Sequence, residues 1–324
     1  MKALVTGANG FTGSHLVKAL VRRGAAVVAY VRPTSHLDFL ADLPIDYAYG
    51  DITDQAALTA AMKNVDTVFH TAAYVELGLV DDAKMERVNI RGTQAVLAAA
   101  QAAGVSKMVH CSTIGIFGDT QGQVIDETFQ RTQAGFSSTY DRTKYLAQRA
   151  VDSAAQKGFD VVSVLPSGIF GADDPHFGPV VQLFLKGKLK VWAGGDRITG
   201  IVHVDDLVEA MILATERGQR GEHYIISAGE MTTREMFQHF SEATGIPVPR
   251  EAPKPLVRLL GTILDPIGRL FRWQPPLSQE RVHYIYDRCV RVDAAKARTA
   301  LGWTPRSVAE TLQDLVPKPV QLTD

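Results

Sequence analysis

The sequence predicts an α/β chain: a doubly wound parallel sheet with a smaller C-terminal lobe interleaved with it. Three observations carry that prediction. Short β-branched runs alternate with Ala- and Leu-rich stretches from residue 1 to about 165, the rhythm of strands joined by helical crossovers. The runs are almost continuously apolar, as strands covered by helices on both faces must be. After Pro166 the texture changes to Gly, Pro and Asp in "SGIFGADDPHFGP", which reads as a departure from the sheet into loops.

The predicted strands are "KALVTG", "AVVAYVR", "IDYAYGD", "VDTVFHTAA", "KMVHCST" and "VVSVLP". "GIVHVDDLVEAMILATERG" and the strand "EHYIISAG" return the chain to this unit, and "TTREMFQHFSEATG" leaves it again. One domain is therefore expected over 1–165 plus about 201–228, and a second over about 166–200 plus 229–324. No internal repeat or low-complexity tract is visible. The late segment "PLVRLLGTILDPIGRLFRW" (255–273) contains Arg258, Asp265, Pro266 and Arg269, which makes it unfit to span a bilayer. It reads as an amphipathic helix or helix pair covering the second lobe, with a peripheral membrane contact as the alternative.

The 324 residues are 46% hydrophobic, enough for a sizeable core. A net charge of -1 recommends neither nucleic acid nor an anionic surface as the main partner, and leaves a small molecule. Cys111 and Cys289 are the only cysteines and lack metal-type spacing. With "MKALVTGANG" entering a strand at once, they lead to the expectation of a reducing, cytoplasmic location without a signal peptide.

The loop "TGANGFTG" places Gly7, Asn9, Gly10, Phe11, Thr12 and Gly13 between a strand and a helix. The glycines allow a tight turn, close backbone approach to a pyrophosphate and close helix packing, and the helix N-terminus adds partial positive charge. A dinucleotide is the predicted ligand. After the second strand, where an acid would hold a ribose hydroxyl, the chain reads "AYVRPTS" with Arg32. A cation there suits a 2′-phosphate, so NADP is expected over NAD, Arg32 as a solvated loop charge being the alternative. Asp51 and Ile52 in "GDITD" are candidates for an adenine edge, or Asp51 for a helix cap.

Tyr140 and Lys144 stand four apart in "SSTYDRTKY", a spacing that any helix face shares. Eight motifs in order give the pair its meaning: "TGANGFTG", "GDITD", "HTAA", "VNIRGT", "CSTIGIFG", "YDRTK", "LPSGIFG" and "IVHVDD". Together they resemble an extended short-chain dehydrogenase/reductase, of the epimerase/dehydratase superfamily, and "VDAAKARTALGWTP" resembles that family's ending. The resemblance implies a Rossmann-type doubly wound sheet and a substrate-binding second lobe. It also implies Tyr140 as proton donor or acceptor, Lys144 lowering the phenol's pKa and holding the nicotinamide ribose, and Thr113 on the substrate oxygen, with Ser112 as fallback. Asn89 would steady the lysine through water. Thr71, Ala72 and Ala73 would run beside the cofactor, and Pro166, Ser167 and Ile169 near the nicotinamide. His70, His110 and His203 have no matching acid or nucleophile and read as buried, satisfied histidines.

The same resemblance narrows the reaction. Thr113 is followed by Ile114 and Gly115 rather than the Asp-Glu of dehydratases. The position where sugar epimerases place a diphosphate-gripping arginine is Thr199, with Arg197 a poorly aligned substitute, and a second such arginine is not evident. "YVRPTS", "QPPLSQERV" and the apolar late segment more closely resemble the dihydroflavonol-reductase-like and 3β-hydroxysteroid-dehydrogenase-like branch. Phe117, Phe136, Phe170, Phe177 and Trp192 are candidate pocket walls, or core. The expected activity is NADP(H)-dependent reduction of a ketone, or oxidation of a secondary alcohol, on a hydrophobic or polycyclic molecule. A nucleotide-sugar epimerase with tightly bound NAD is the alternative, and a dinucleotide-sensing binding protein the lesser one. A homodimer through the Ala-rich helices at 89–104 and 140–158 is expected, as in the family.

Overall fold

The computed structural model describes residues 1–316. Its chain alternates β1 (Lys2–Thr6), α1 (Phe11–Arg22), β2 (Ala26–Val31), β3 (Asp46–Tyr49), α2 (Gln55–Ala61) and β4 (Thr67–His70). The helix α3 (Asp82–Glu86) then passes through a π-helical turn at Arg87–Arg91 into α4 (Gly92–Ala102), followed by β5 (Lys107–Cys111). β6 (Val124–Ile125) and α5 (Thr139–Gln156) lead to β7 (Val161–Pro166).

The later elements are β8 (Gly168–Phe170), α6 (Gly178–Leu185), β9 (Val191–Trp192), β10 (Ile198–His203), α7 (Val204–Arg217) and β11 (His223–Ile226). They are followed by β12 (Gly229–Thr232), α8 (Thr233–Thr244), β13 (Arg250–Glu251), α9 (Lys254–Phe271) and α10 (Gln279–Tyr286). β14 (Arg291–Val292), α11 (Ala295–Ala300) and α12 (Val308–Gln313) complete the described chain.

All seven predicted strands enter one parallel sheet in the order β3-β2-β1-β4-β5-β7-β11. Successive strand residues serve opposite faces. Ala3, Val5, Val27 and Val109 join Leu16, Leu20, Leu207 and Met211 of α1 and α7 in one core. Leu4, Val28, Val68 and Met108 join Leu58, Val96, Leu97 and Val151 of α2, α4 and α5 in the other. Both faces are thus dry, which is why β4 and β7 are buried at every residue.

β10 stays out of this sheet and lies between β8 and β12 in a three-stranded one, so the return to the large sheet begins at α7. Trp303, in the late "LGWTP", is fully buried and donates its indole N–H to the Asp206 carbonyl at 2.8 Å. Phe170, Trp192, Phe184, Phe237 and Phe240 form a separate core with partly buried Phe177 against it. Phe170, Phe177 and Trp192 therefore belong to this separate core, and Phe117 joins the main core.

The late apolar segment takes the single-helix form of the two that were expected. It is a single helix, α9, that turns its small residues inward and its large apolar ones out. Val257, Gly261, Asp265 and Gly268 are buried, while Leu259, Ile263, Leu270 and Phe271 are exposed. A sequence pattern reports that a helix is two-faced, and an orientation argument then assigns the apolar face to the core; here close packing on α10 reverses it. A Cβ on Gly261 would stand 2.6 Å from Val282 Cγ2.

Candidate active site

The parallel sheet brings the β1, β4, β5 and β7 ends of the predicted site to one edge, the carboxyl edge where ligands of such sheets bind. Gly7 follows β1 with φ +68°, a conformation that favours glycine. A Cβ there would stand 2.8 Å from the Ala72 backbone, and one on Gly13 only 2.0 Å from the Gly7 carbonyl oxygen. The turn is closed by Gly10 N–H donating to that oxygen at 2.9 Å. Gly10 caps α1 without any side-chain hydrogen bond, and no acid occupies the first turn, so the helix end offers bare N–H donors to an anion. Asn9 donates to the His36 carbonyl at 3.3 Å, and Phe11 lies edge-on to His15.

Thr71 donates to the Thr6 carbonyl at 2.7 Å, which ties the start of the Thr71–Ala73 stretch to β1 beside the glycine loop. Arg32 is exposed and forms no ion pair among the described residues. Asp51 is engaged: its carboxylate accepts from Arg87 at 2.8 Å and from the Thr53 hydroxyl at 2.7 Å. Partial burial opposes its ionisation, but Arg87 and Thr53 outweigh that and bring it to about 2. The cap of α2 is Asp54 instead. Ile52 lies against Gly92, whose Cβ would stand 2.9 Å from it.

α5 carries Tyr140 and Lys144. Ser138 caps it by accepting from Asp141 N–H at 3.0 Å, placing Tyr140 in the first turn and Lys144 one turn on. Lys144 is buried and donates to the Cys111 carbonyl at 2.8 Å, which lashes α5 to the end of β5; burial lowers its pKa. Burial, followed by Cys111 and Asp141, raises the Tyr140 phenol above its ordinary value, with Arg288 opposing.

Thr113 caps the short 3-10 turn Ile114–Phe117, its hydroxyl oxygen accepting from Gly115 N–H at 3.1 Å. Its own O–H is left to donate to a further oxygen. Ser112 and Ser167 are buried with hydroxyls that have no partner among the described residues. Pro166 ends β7, and Ile169 of β8 pairs with Val202 of β10.

Asn89 is buried in the π-helical turn, a distortion found often at functional sites. Its side-chain oxygen accepts from Tyr74 N–H at 2.7 Å, and its amide donates to the Tyr74 carbonyl and to the Thr143 hydroxyl, each at 3.1 Å. It clamps the loop after β4 to α5, one residue from Lys144.

His70 is satisfied between Thr6 at 2.8 Å and Thr93 at 2.9 Å, and burial, then the Lys144 charge, lower it to about 3. His203 caps α7, accepting from Asp205 N–H at 3.1 Å. His110 corrects the expectation for it: it is buried, stacks on His70 with centroids 5.3 Å apart, and neither ring nitrogen has a partner among the described residues.

Sequence reasoning missed Arg288. It donates to both oxygens of Asp141 at 2.9 and 3.2 Å, with 8% and 2% of the two side chains exposed. Its guanidinium lies 4.5 Å from the Tyr284 ring, whose neighbour Arg197 is 4.7 Å from that ring. Nothing in "IYDRCVR" marks this arginine, because its partner stands 147 residues earlier.

Residues 3–227 match the model of the NAD-dependent epimerase/dehydratase family. The chain belongs to that family. As an epimerase/dehydratase family member it is an extended short-chain dehydrogenase/reductase, an enzyme of the NAD(P)-dependent dehydrogenase and reductase type. It is 32% identical over 324 residues to sterol demethylase protein B of Methylococcus capsulatus, covering 98% of this chain and 97% of that one. It is 33% identical over 346 residues to the 3β-hydroxysteroid dehydrogenase/Δ5→4-isomerase of Mycobacterium tuberculosis, covering 99% and 91%. The crystal structure of gox2253 superposes with a TM-score of 0.83 at 29% identity, covering 97% and 96%. Among the described residues no group of three or more His, Cys, Asp or Glu is arranged to hold a metal, and no helix is long and apolar enough to cross a membrane.

Proposed function

We propose that this enzyme transfers hydride between NADP(H) and a ketone or secondary alcohol on a hydrophobic or polycyclic molecule. The observation that supports the reading is that Lys144, one turn after Tyr140 on α5, bonds the Cys111 carbonyl at the end of β5, directly before the turn capped by Thr113, whose O–H has no acceptor among the described residues, at the sheet edge that carries the glycine loop. The residues fit a dinucleotide. Gly7, Gly10 and Gly13 leave a cradle that any side chain would fill, the α1 N–H groups suit the pyrophosphate, and Arg32 suits a 2′-phosphate.

Lys144, with N–H donors left beyond its Cys111 bond, would hold the ribose, and Ser167 would lie beside the nicotinamide. The bound cofactor supplies or accepts the hydride. In reduction, Thr113 and Tyr140 donate hydrogen bonds to the carbonyl oxygen, and Tyr140 passes its proton to that oxygen as charge develops there. In oxidation the proton runs the other way. Asn89 acts as a positioning residue, holding the first turns of α5. The substrate class rests on the two relatives, whose names refer to sterols and steroids. A homodimer through α4 and α5 and a cytoplasmic setting complete the proposal; free Cys111 and Cys289 support the latter.

The test is NADPH oxidation with a panel of apolar ketones. Tyr140→Phe is expected to lower kcat by about 10²- to 10⁴-fold with cofactor affinity unchanged. Retained turnover refutes the role of Tyr140. Copurified NAD and interconversion of nucleotide sugars without NADPH consumption would instead establish an epimerase.

A further inference from the structure

We propose that the outward face of α9 is a docking surface for an anionic lipid bilayer, which the enzyme binds peripherally. Seventeen large apolar side chains are exposed among the described residues, and eight of them lie between residues 256 and 273. Leu259, Ile263, Ile267 and Leu270 recur at helical spacing, and Phe271 and Trp273 stand at the end of the stripe, with 72% and 48% of each exposed. So concentrated a patch marks an interaction surface rather than scattered exposure.

The orientation is fixed from the other side. Gly261 and Gly268 let the helix lie directly on its neighbours: a Cβ on Gly268 would stand 2.7 Å from the Trp273 carbonyl oxygen and 2.8 Å from Leu79. Between them the buried Asp265 carboxylate accepts from Gln279 N–H at 3.1 Å and from Arg269 at 2.8 Å. Rolling the helix to hide the leucines would break this pairing and press large side chains where only glycine fits.

The charges favour lipid. Lys254, Arg258, Arg269 and Arg272 are the helix's cations, and its one acid, Asp265, is buried. Arg258 has an acidic neighbour in Asp287 and Lys254 lies over the Tyr286 ring; Arg272, at the helix end beside Phe271 and Trp273, makes no ion pair among the described residues. An apolar stripe with Leu, Phe and Trp bordered by cations is the composition of a helix lying in the plane of an interface, buried to the acyl boundary and drawn by anionic headgroups. A second copy fits poorly. An 18-residue helix is about 27 Å long and offers about 300 Å² of face, against about 800 Å² per partner in a stable complex, and a symmetric pair would bring like charges together. The segment just after α9, together with α10, binds the loop that follows β4: Gln274 and Arg281 both donate to the Leu77 carbonyl, at 2.8 and 3.0 Å.

The test is cosedimentation of the full chain with vesicles of phosphatidylcholine alone or with about one-third phosphatidylglycerol. The anionic vesicles are expected to bind about tenfold more protein, with binding weakened by salt. Trp273 fluorescence should shift to the blue on binding, since Trp192 and Trp303 are already buried. Leu270→Glu combined with Phe271→Glu, at positions where 77% and 72% of the side chains are exposed, should abolish binding while leaving the melting temperature unchanged. No binding to either vesicle, or equal binding by the double variant, overturns the proposal. So does a self-association abolished by the same variant in the absence of vesicle binding, which would make a second copy the occupant.

Discussion

Replacing Arg288 with Met removes the cation that faces Asp141 while filling most of its volume. Because only 8% and 2% of these side chains are exposed, solvent screens the pair little, and losing one partner of such a buried pair costs about 3–5 kcal/mol. With an unfolding entropy of about 2 cal/mol/K per residue over 324 residues, that cost lowers Tm by about 4–7 °C. The deficit should depend on pH. Burial already raises the Asp141 carboxyl, with Arg288 opposing, so Arg288→Met raises it further. A carboxyl whose folded pKa lies above its unfolded one holds more protons when folded, so stability falls as pH rises. The deficit is therefore smaller at low pH, grows as pH rises through the raised pKa, and is complete above it. Thermal unfolding at pH 5 and pH 8 measures this. Asp141→Asn/Arg288→Met, which removes both charges, should recover at least half of the loss. A single variant that costs less than about 1 kcal/mol at both pH values, with no coupling in the double variant, would refute the account of a buried, mutually dependent pair.

Two further outcomes follow from other residues. Arg32→Ala should weaken NADP about tenfold and leave NAD nearly unchanged, since a phosphate contact is lost with only one of them; calorimetric titration checks this, and equal losses would remove Arg32 from the 2′-phosphate. His70, lowered to about 3, binds its proton in the unfolded chain first, so it withdraws stability as pH falls from about 6.5. His70→Asn keeps a donor and an acceptor between Thr6 and Thr93 and should reduce that slope by about 1.4 kcal/mol per pH unit. Urea midpoints between pH 4 and 6.5 test it, an unchanged slope being the contrary result.

The large sheet was legible because its signals are local and repeated. A strand buried on both faces is apolar throughout, and the inner runs such as β1, β4 and β7 carry that mark by themselves, while the edge strand β3 (Asp46–Tyr49) does not. The glycine loop was legible because backbone crowding demands glycine at fixed spacing, whereas Thr113, Tyr140 and Lys144 were singled out only by resemblance to a family, since any helix face carries residues four apart. What escaped depends on distant partners. β6 and β14 are two-residue strands that pair with each other, too short for any periodicity. Arg288 is indistinguishable from a surface arginine until the fold brings Asp141 to it. Asn89 was visible, but not that Tyr74 and Thr143 would saturate it. The face that α9 buries was not legible because hydropathy weighs side chains and does not weigh the glycines that decide how closely a helix can approach.

The loops bordering the site are sewn to the far end of the chain, and this sets a timetable for synthesis. Gly78 donates to Glu280, Thr120 N–H to the Cys289 carbonyl, and Val124 pairs with Arg291, so each partner emerges about 170–200 residues after the loop it closes. At about 5–20 residues per second on the ribosome, the nascent sheet waits about 10–40 s with those loops unfastened. A chain ending before residue 280 would hold all seven sheet strands and lack the partners that fasten Gly78, Thr120 and Val124.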